Sequence, residues 1–443
     1  MGEMKVLLIN PNFRGSKGIY DVNVRLRQPL DLAYLSSILD MKEIENEILD
    51  ANILNLSQDE ILERINQFSP SYIILTTSPL DRWECPQVDL HMVFSLIGRI
   101  NPAIKLIVYG THGSVSPEWV REKSARPIEY IIKGEPEKHV SDLFGGKPIR
   151  HEYNVYQNLD DLPMPNFQKL PMELYGYNGE ELKKPFSILL SSRGCPYQCS
   201  FCLREMFKNY RAHSPERVLE EIKYLKENYS VNSIFFQDWE FLLDKERARK
   251  ICQLLKKNGI YVNFGINARA QDLNYEIIRA LQEVGLQRIN IGLESASNKV
   301  LKAIRKGITK DDLLGAVRLS KETGVKFAYC GIYNLPSEDF STIKETAKFI
   351  ADNNIDFMPG VARPYPGTEL ARLGENINWQ NMESKAGRLG TKISPAIAVL
   401  LYKFFIHYYR DGLFFMFKRK NFGKNLIFIK RLLKRCILQW DLS

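Results

Sequence analysis

Short, continuously apolar runs recur along this chain, spaced so that one helix fits between each pair. Residues 4–9, 45–50, 71–75, 104–108 and 128–132 are such runs, and helical patterns lie between them at about 30–41, 57–68, 86–100 and 116–123. A strand that alternates polar and apolar residues can leave one face in water. A continuously apolar strand cannot, and needs cover on both faces. Strands of that kind alternating with helices predict an α/β fold, with a parallel sheet between two helical layers. Residues 1–143 therefore read as one doubly wound domain, whose ligand-binding loops lie at the carboxyl edge of its sheet.

The rhythm lapses over 144–185, where GGKP, LPMPNF and LKKPF mark a linker. It resumes at Ser187-Ile188-Leu189-Leu190. Further strands are predicted at 233–237, 260–266, 287–293, 325–333 and 355–361, with helices at 214–228, 244–258, 272–284, 311–323 and 339–353. Residues 186–370 then make a partial (βα)6 barrel, shorter than the usual eight-stranded one, with its chemistry at the carboxyl ends of the strands. From 371 to 443 the pattern predicts a helical, basic C-terminal tail, broken near Gly412 and Gly423.

Charge separates this tail from the body. The net charge is +9, and residues 391–443 hold 11 Lys and Arg against Asp411 and Asp441, so the remainder is balanced. A neutral body argues against nucleic acid as a partner. In the tail, Lys418, Arg419, Lys420, Lys430, Arg431, Lys434 and Arg435 stand among Phe, Leu and Ile. That composition suits an interfacial helix on an anionic membrane surface. It also suits a helical cap on the barrel. No apolar run reaches the ~18–20 residues that span a bilayer. Seven cysteines, an odd number, with a first strand where a signal peptide would stand, indicate a reducing cytoplasmic setting. Peripheral contact with the inner face of the membrane is compatible with it.

The first barrel strand runs directly into Ser192-Arg193-Gly194-Cys195-Pro196-Tyr197-Gln198-Cys199-Ser200-Phe201-Cys202. Three soft thiolates on one strand-end loop can wrap three irons of a cubane and leave the fourth iron for a small molecule. Zinc is the alternative and needs a fourth ligand, for which His213 is the candidate. The spacing favours the cluster. Cys85, Cys252, Cys330 and Cys436 are isolated and read as small buried hydrophobes.

The loop and its setting resemble the radical SAM superfamily over about residues 185–370. The resemblance implies a radical SAM barrel with a 4Fe-4S cluster on Cys195, Cys199 and Cys202. It implies S-adenosylmethionine (SAM) chelated at the free iron, and one-electron cleavage of SAM to methionine and a 5′-deoxyadenosyl radical. It sets Phe201 against the adenine. Phe235-Phe236-Gln237-Asp238-Trp239-Glu240-Phe241 resembles the acidic strand-end motif that faces the methionyl part, which nominates Asp238 and Glu240; one family acidic position is Trp239 here. Asn267 and Arg269 end the third strand, and Arg269 offers a bidentate partner for the SAM carboxylate. Ile291-Gly292-Leu293-Glu294-Ser295 resembles the fourth-strand motif. It nominates Glu294 for the ribose hydroxyls, with Ser295 beside it; a capping carboxylate is the other reading of Glu294. Tyr333-Asn334-Leu335-Pro336-Ser337-Glu338 resembles a Gly-Leu-Pro-Gly-Glu loop with both glycines replaced. Arg363-Pro364-Tyr365-Pro366-Gly367-Thr368 resembles the closing Pro-Tyr-Pro-Gly-Thr motif.

A Rossmann-like domain ahead of such a barrel resembles the cobalamin-binding subgroup. Thr76-Thr77-Ser78, Gly110-Thr111-His112-Gly113 and Gly134-Glu135-Pro136-Glu137 resemble that subgroup's three cofactor loops. With Asn12 after the first strand, this nominates Asn12, Thr76, Thr77, Ser78, Gly110, His112, Gly113 and Glu135 for cobalamin. Pro11-Asn12-Phe13-Arg14-Gly15 lacks the Asp-x-His-x-x-Gly of many cobalamin proteins, so a corrin without a lower His ligand is expected. His112 either touches the corrin or hydrogen-bonds backbone. A vestigial domain without cobalamin is the alternative.

Together the resemblances imply a class B-like radical SAM methyltransferase. The deoxyadenosyl radical would take hydrogen from an unactivated carbon, and methylcobalamin would supply the methyl group. Cyclisation, ring contraction or rearrangement with the same cofactors is the second reading. A cobalamin- or cluster-based sensor is the non-enzymatic one. A reduced flavodoxin- or ferredoxin-like donor is implied as a partner. A lipid-like or other small-molecule substrate is suggested only by the tail.

Overall fold

The computed structural model describes residues 4–14, 26–83, 85–148, 153–177, 181–207, 209–374, 376–382 and 393–411. The chain divides into two compact units. One comprises Met1–Pro196, Leu203–Ile266 and Ala280–Gln287, the other Tyr197–Cys202, Asn267–Arg279 and Arg288–Ser443.

The apolar runs of the amino-terminal third become β1 (Lys5–Asn10), β2 (Glu45–Asp50), β3 (Tyr72–Thr76), β4 (Lys105–Tyr109) and β5 (Tyr130–Ile131). They pair in parallel, in the order β2-β1-β3-β4-β5. Leu7, Ile9, Ile73, Leu75, Leu106 and Val108 form one core with Ile61, Ile65, Val93, Leu96 and Ile97. The last five come from helices Gln58–Phe68 and His91–Arg99. Ser57 starts the first of these helices with a capping box: its hydroxyl accepts from the Glu60 N–H, and the Glu60 carboxylate accepts from the Ser57 N–H at 2.7 Å. Strand order reverses between β1 and β3. Such a switch point is where open parallel sheets carry a ligand crevice, at the carboxyl edge.

The later runs become β6 (Phe186–Leu189), β9 (Ser233–Phe236), β10 (Asn263–Ala268), β11 (Leu286–Glu294), β12 (Lys326–Tyr333) and β13 (Asp356–Val361). Their spatial order is their sequence order. Each crossover adds its strand on the same side, which is how a (βα) barrel winds. Six strands stop short of the eight that close one. The edge strand β6 is covered by Gln28, whose amide donates to the Phe186 carbonyl at 2.9 Å and accepts from the Ile188 N–H at 3.1 Å. Between β6 and β9, a two-stranded antiparallel ribbon joins β7 (Ser192–Arg193) to β8 (Arg211–Ala212).

Helices Pro215–Tyr229, Lys245–Lys257, Tyr275–Gln282, Lys310–Thr323 and Phe340–Asp352 fill the expected intervals. Several local readings change: Cys85 is exposed rather than buried, and the helix expected over 86–100 spans His91–Arg99. The third barrel strand spans Asn263–Ala268 rather than 260–266, because Ile260 closes the turn after its helix by donating to the Leu255 carbonyl at 2.9 Å. The stretch after Gly110 is a short helix, Thr111–Val115, where only a loop was expected.

The tail begins as a helix, Pro395–Asp411, packed on Phe340–Asp352 through Ile397, Ala398, Leu401, Tyr402 and Phe405. Tyr402 stacks on Tyr333 and donates to Glu338 at 2.6 Å. Its first part thus behaves as a cap. The breaks near Gly412 and Gly423 and the cations of 418–435 lie outside the described residues. Among the described residues, no helix is long and apolar enough to cross a membrane.

Candidate active site

The cysteine loop leaves β6 through a carboxylate anchor. Asp238, after β9, accepts from the Ser191 N–H at 2.7 Å and from the Ser191 and Ser192 hydroxyls at 2.6 Å each. It is fully buried, and burial pushes its carboxyl upward. Three donors on one carboxylate fix the strand end from which the cysteines depart. Gly194 follows at φ +84°, where a Cβ would collide with the Asn209 carbonyl. Only glycine enters the loop here without strain. Glu240, also buried, receives the Leu242 N–H at 3.2 Å.

Cys199 and Cys202 lie in the second unit with the other predicted SAM contacts of the third and fourth strands. The loop backbone is pinned by Ser200, which donates to the Ile304 carbonyl at 2.9 Å and accepts from the Leu370 N–H at 2.8 Å. Phe201 packs with Val300, Ile304, Leu335, Ala362 and Leu370. Arg269 lies over the Tyr197 ring, 3.7 Å from guanidinium carbon to centroid. It points one nitrogen at Cys199 Sγ, 3.8 Å away, and another at the Lys306 carbonyl. Asn267 accepts from the Asn290 amide at 3.2 Å. Glu294, the last residue of β11, has φ +56° and forms a buried ion pair with Lys306, 2.9 Å apart. Ser295 lies 3.0 Å from the Thr346 hydroxyl and accepts from the Ser297 N–H, so its hydroxyl serves the turn.

These groups set the electrostatics of the thiols. A hydrogen bond from Cys202, and then the charges of Lys306 and Arg269, hold the Cys199 thiol down at about 6 against its burial. Cys202, the donor of that bond and itself buried, is pushed up. Burial alone would lower the Lys306 ammonium; Glu294 and Cys199 raise it to about 12. A thiol paired with fixed cations is a good anionic ligand, and this donor set fits an iron–sulfur cluster. Among the described residues, no three His, Cys, Asp or Glu side chains are spaced to hold one metal ion. A cubane differs in that each thiolate takes its own iron. His213, the alternative fourth zinc ligand, has its Nδ1 3.0 Å from Asp160, and burial lowers its imidazole to about 4.

The three loops at the edge of the amino-terminal sheet interlock. Thr76 donates to the Ser78 carbonyl at 2.7 Å, Thr77 to the Tyr109 carbonyl at 3.1 Å, and Ser78 to the Thr111 hydroxyl at 2.9 Å. Gly110, at φ +112°, lies so close that a Cβ would stand 2.8 Å from Thr77 Oγ1. A Cβ on Gly113 would stand 2.9 Å from Ile131. Glycines at these positions let this loop pack closely against Thr77, Ser78 and Ile131. Asn12 ties its own loop, donating to the Leu56 carbonyl at 2.9 Å and accepting from the Arg14 N–H at 2.9 Å. His112 is buried with Nε2 2.8 Å from the Gln87 carbonyl, and burial presses it to about 3. Of its two readings, the backbone bond is what is found. Glu135 is engaged by Arg193 and Arg211.

Sequence reasoning missed Lys306, Tyr197, Arg193 and Arg211. A lone Lys or Arg has no periodic signature. The one usable signal was the position of Arg193 immediately before Gly194-Cys195.

Residues 189–350 match the family model described as the radical SAM superfamily. These residues form a radical SAM domain. An uncharacterized methyltransferase of Pyrococcus horikoshii is 29% identical over 92% of this chain and 93% of its own length. The anaerobic magnesium-protoporphyrin IX monomethyl ester cyclase of Rubrivivax gelatinosus is 25% identical over 84% and 71%. Among solved structures, the radical S-adenosylmethionine methyltransferase TsrM from Kitasatospora setae, with cobalamin and a [4Fe-4S] cluster bound, superposes with a TM-score of 0.64. The match covers 84% of this chain and 78% of that one at 19% identity, a likeness of fold.

Proposed function

We propose that this chain is a cobalamin-dependent radical SAM methyltransferase acting on an unactivated carbon. The observation that carries the reading is the gathering of Cys199, Cys202, Arg269, Glu294 and Lys306 at strand ends of a six-stranded partial barrel. Similarity to a methyltransferase along nearly the whole chain supports it.

Cys195, Cys199 and Cys202 would hold the cluster, which when bound supplies the electron that cleaves SAM. The crevice at the edge of β1, β3 and β4 would hold cobalamin, which when bound supplies the methyl group. The chain's own residues bind and orient. Phe201 offers an apolar face to the adenine. Glu294 offers acceptors to the ribose hydroxyls, with Lys306 holding it in place. Arg269 holds positive charge beside Cys199 and suits the SAM carboxylate. Asp238 supports the loop through Ser191 and Ser192. The domain reading is residues 1–143 for cobalamin, 144–185 as linker, 186–370 for the radical chemistry and 371–443 as extension. A flavodoxin- or ferredoxin-like donor would reduce the cluster, and a small-molecule or lipid-like substrate would accept the methyl group. The cations of the tail give peripheral contact with anionic membranes, testable by cosedimentation with anionic and neutral vesicles at low and high salt.

The deciding experiment is anaerobic turnover of the reconstituted protein. Deoxyadenosine should form on reduction and vanish in Cys199→Ala. Methylation consumes two SAM per product. Deoxyadenosine formed without methyl transfer would favour the cyclisation or rearrangement suggested by the cyclase relative. Wild-type rates in Cys199→Ala would remove the cluster assignment.

A further inference from the structure

We propose that Glu135 is a positioning residue for the cysteine loop rather than a contact for cobalamin. Its single carboxylate ties together both stems of loop 194–210. The loop departs from Arg193 and returns at Arg211, and these two residues face each other across the β7–β8 ribbon. Glu135 Oε2 accepts from Arg193 Nη1 at 2.6 Å, and its Oε1 accepts from Arg211 Nη2. Glu137 takes the other Arg193 nitrogen at 2.8 Å. Tyr153 makes a third tie: its hydroxyl donates to the Met206 carbonyl inside the loop at 2.8 Å and lies 3.2 Å from Glu135 Oε1. Gly134, at φ +78°, is required at that point, because a Cβ would run into the Tyr153 ring.

Burial makes the arrangement decisive. The Arg193 side chain is 1% exposed, Glu135 3%, Glu137 1% and Arg211 8%. Two guanidinium groups and two carboxylates balance in charge, so removing one leaves an uncompensated buried charge. Three donors already sit on the Glu135 carboxylate, from Arg193, Arg211 and Tyr153, so most of its acceptor capacity is spent inside the protein. Fixing both ends of a loop removes conformational freedom that cluster binding would otherwise have to overcome. A carboxylate just after β5 thus fixes Arg193 and Arg211, the two residues between which the cysteine loop is strung.

The inference rests on the cluster reading above, and its test keeps the two apart. Full-length wild type, Glu135→Gln, Arg211→Gln and the double variant are reconstituted anaerobically with iron and sulfide. Each is compared by circular dichroism, by cobalamin titration, and by the electron paramagnetic resonance of the reduced cluster with and without SAM. Glu135→Gln should keep its secondary structure and its cobalamin affinity. Its cluster signal should shift in g values, and its retained iron should fall about tenfold, as on loss of an outer-shell partner. Arg211→Gln should do the same, and the double variant little more than either alone. An unchanged signal with full iron in Glu135→Gln overturns the proposal. Weakened cobalamin binding beside an unchanged cluster overturns it too, and returns Glu135 to the cofactor. Should Glu135→Gln not fold, Arg211→Lys keeps the charge and loses the fork. A shifted signal there supports the clamp, and an unchanged one overturns it. A wild-type protein with no cluster signal overturns both readings together.

Discussion

Lys306 places its ammonium 2.9 Å from the Glu294 carboxylate, and both side chains are more than nine-tenths buried. The helix Asn298–Ala303 and the turn after it bring the two together. Gly292 makes room for the lysine, since a Cβ there would stand 2.5 Å from Lys306 Nζ. Removing one partner leaves an uncompensated buried charge. Lys306→Met is therefore expected to lower stability by about 3–5 kcal/mol, read from urea unfolding midpoints. Adding Glu294→Gln should recover much of that loss. Strictly additive costs would mean that the pair does not couple.

Gly110→Ala tests the floor of the crevice. The position has φ +112°, and the new methyl group would stand 2.8 Å from Thr77 Oγ1 and 2.9 Å from the Ser78 nitrogen. Backbone cannot move aside as a flexible side chain does. A cost of about 1–3 kcal/mol is expected, with weaker cobalamin binding and an unaltered cluster spectrum. Wild-type stability together with wild-type cobalamin affinity would show that the loops need not lie so close.

Asp31 gives a pH dependence with a definite sign. It is fully buried, receives the Tyr109 hydroxyl at 2.7 Å, and burial raises its carboxyl to about 7. A raised carboxylate favours folding while it is neutral. Its contribution is complete below the unfolded value near 3.8 and is lost as pH rises through about 7. The difference is on the order of a few kcal/mol. Asp31→Asn should therefore flatten the fall in stability between pH 4 and 8. Parallel urea titration curves for wild type and variant across that range would contradict this.

His112 should be silent at the cobalt. Its Nε2 is taken by the Gln87 carbonyl, and the side chain is buried. Protein-bound cobalt(II) cobalamin is expected to show no hyperfine splitting from a protein nitrogen, and His112→Ala should leave that spectrum alone. Splitting that disappears in His112→Ala would establish it as the axial ligand.

Much of this site was legible because its signals are contiguous. The Cys195–Cys202 spacing, the strand-end position of Glu294 and the glycines at 110 and 113 all carry their meaning within a few residues. The use made of the acids was not legible. Asp238 reads as a cofactor carboxylate and is found holding Ser191 and Ser192. Glu135 reads as a corrin contact and is found between two arginines. A carboxylate after an apolar strand looks the same in sequence whether it awaits a ligand or is already paired.

The sequence by itself determined the succession of strands and helices, the two kinds of parallel sheet and the cysteine loop after the first strand of the second. Periodicity and strand-end position are local properties, set by which side chains must leave water. Only the tertiary structure decided which charges pair. Lys306 meets Glu294, and Arg193 meets Glu135 and Glu137, across distances in sequence that no pattern spans. Those partners are chosen by burial, because a charge removed from water is stable only where the fold delivers its opposite.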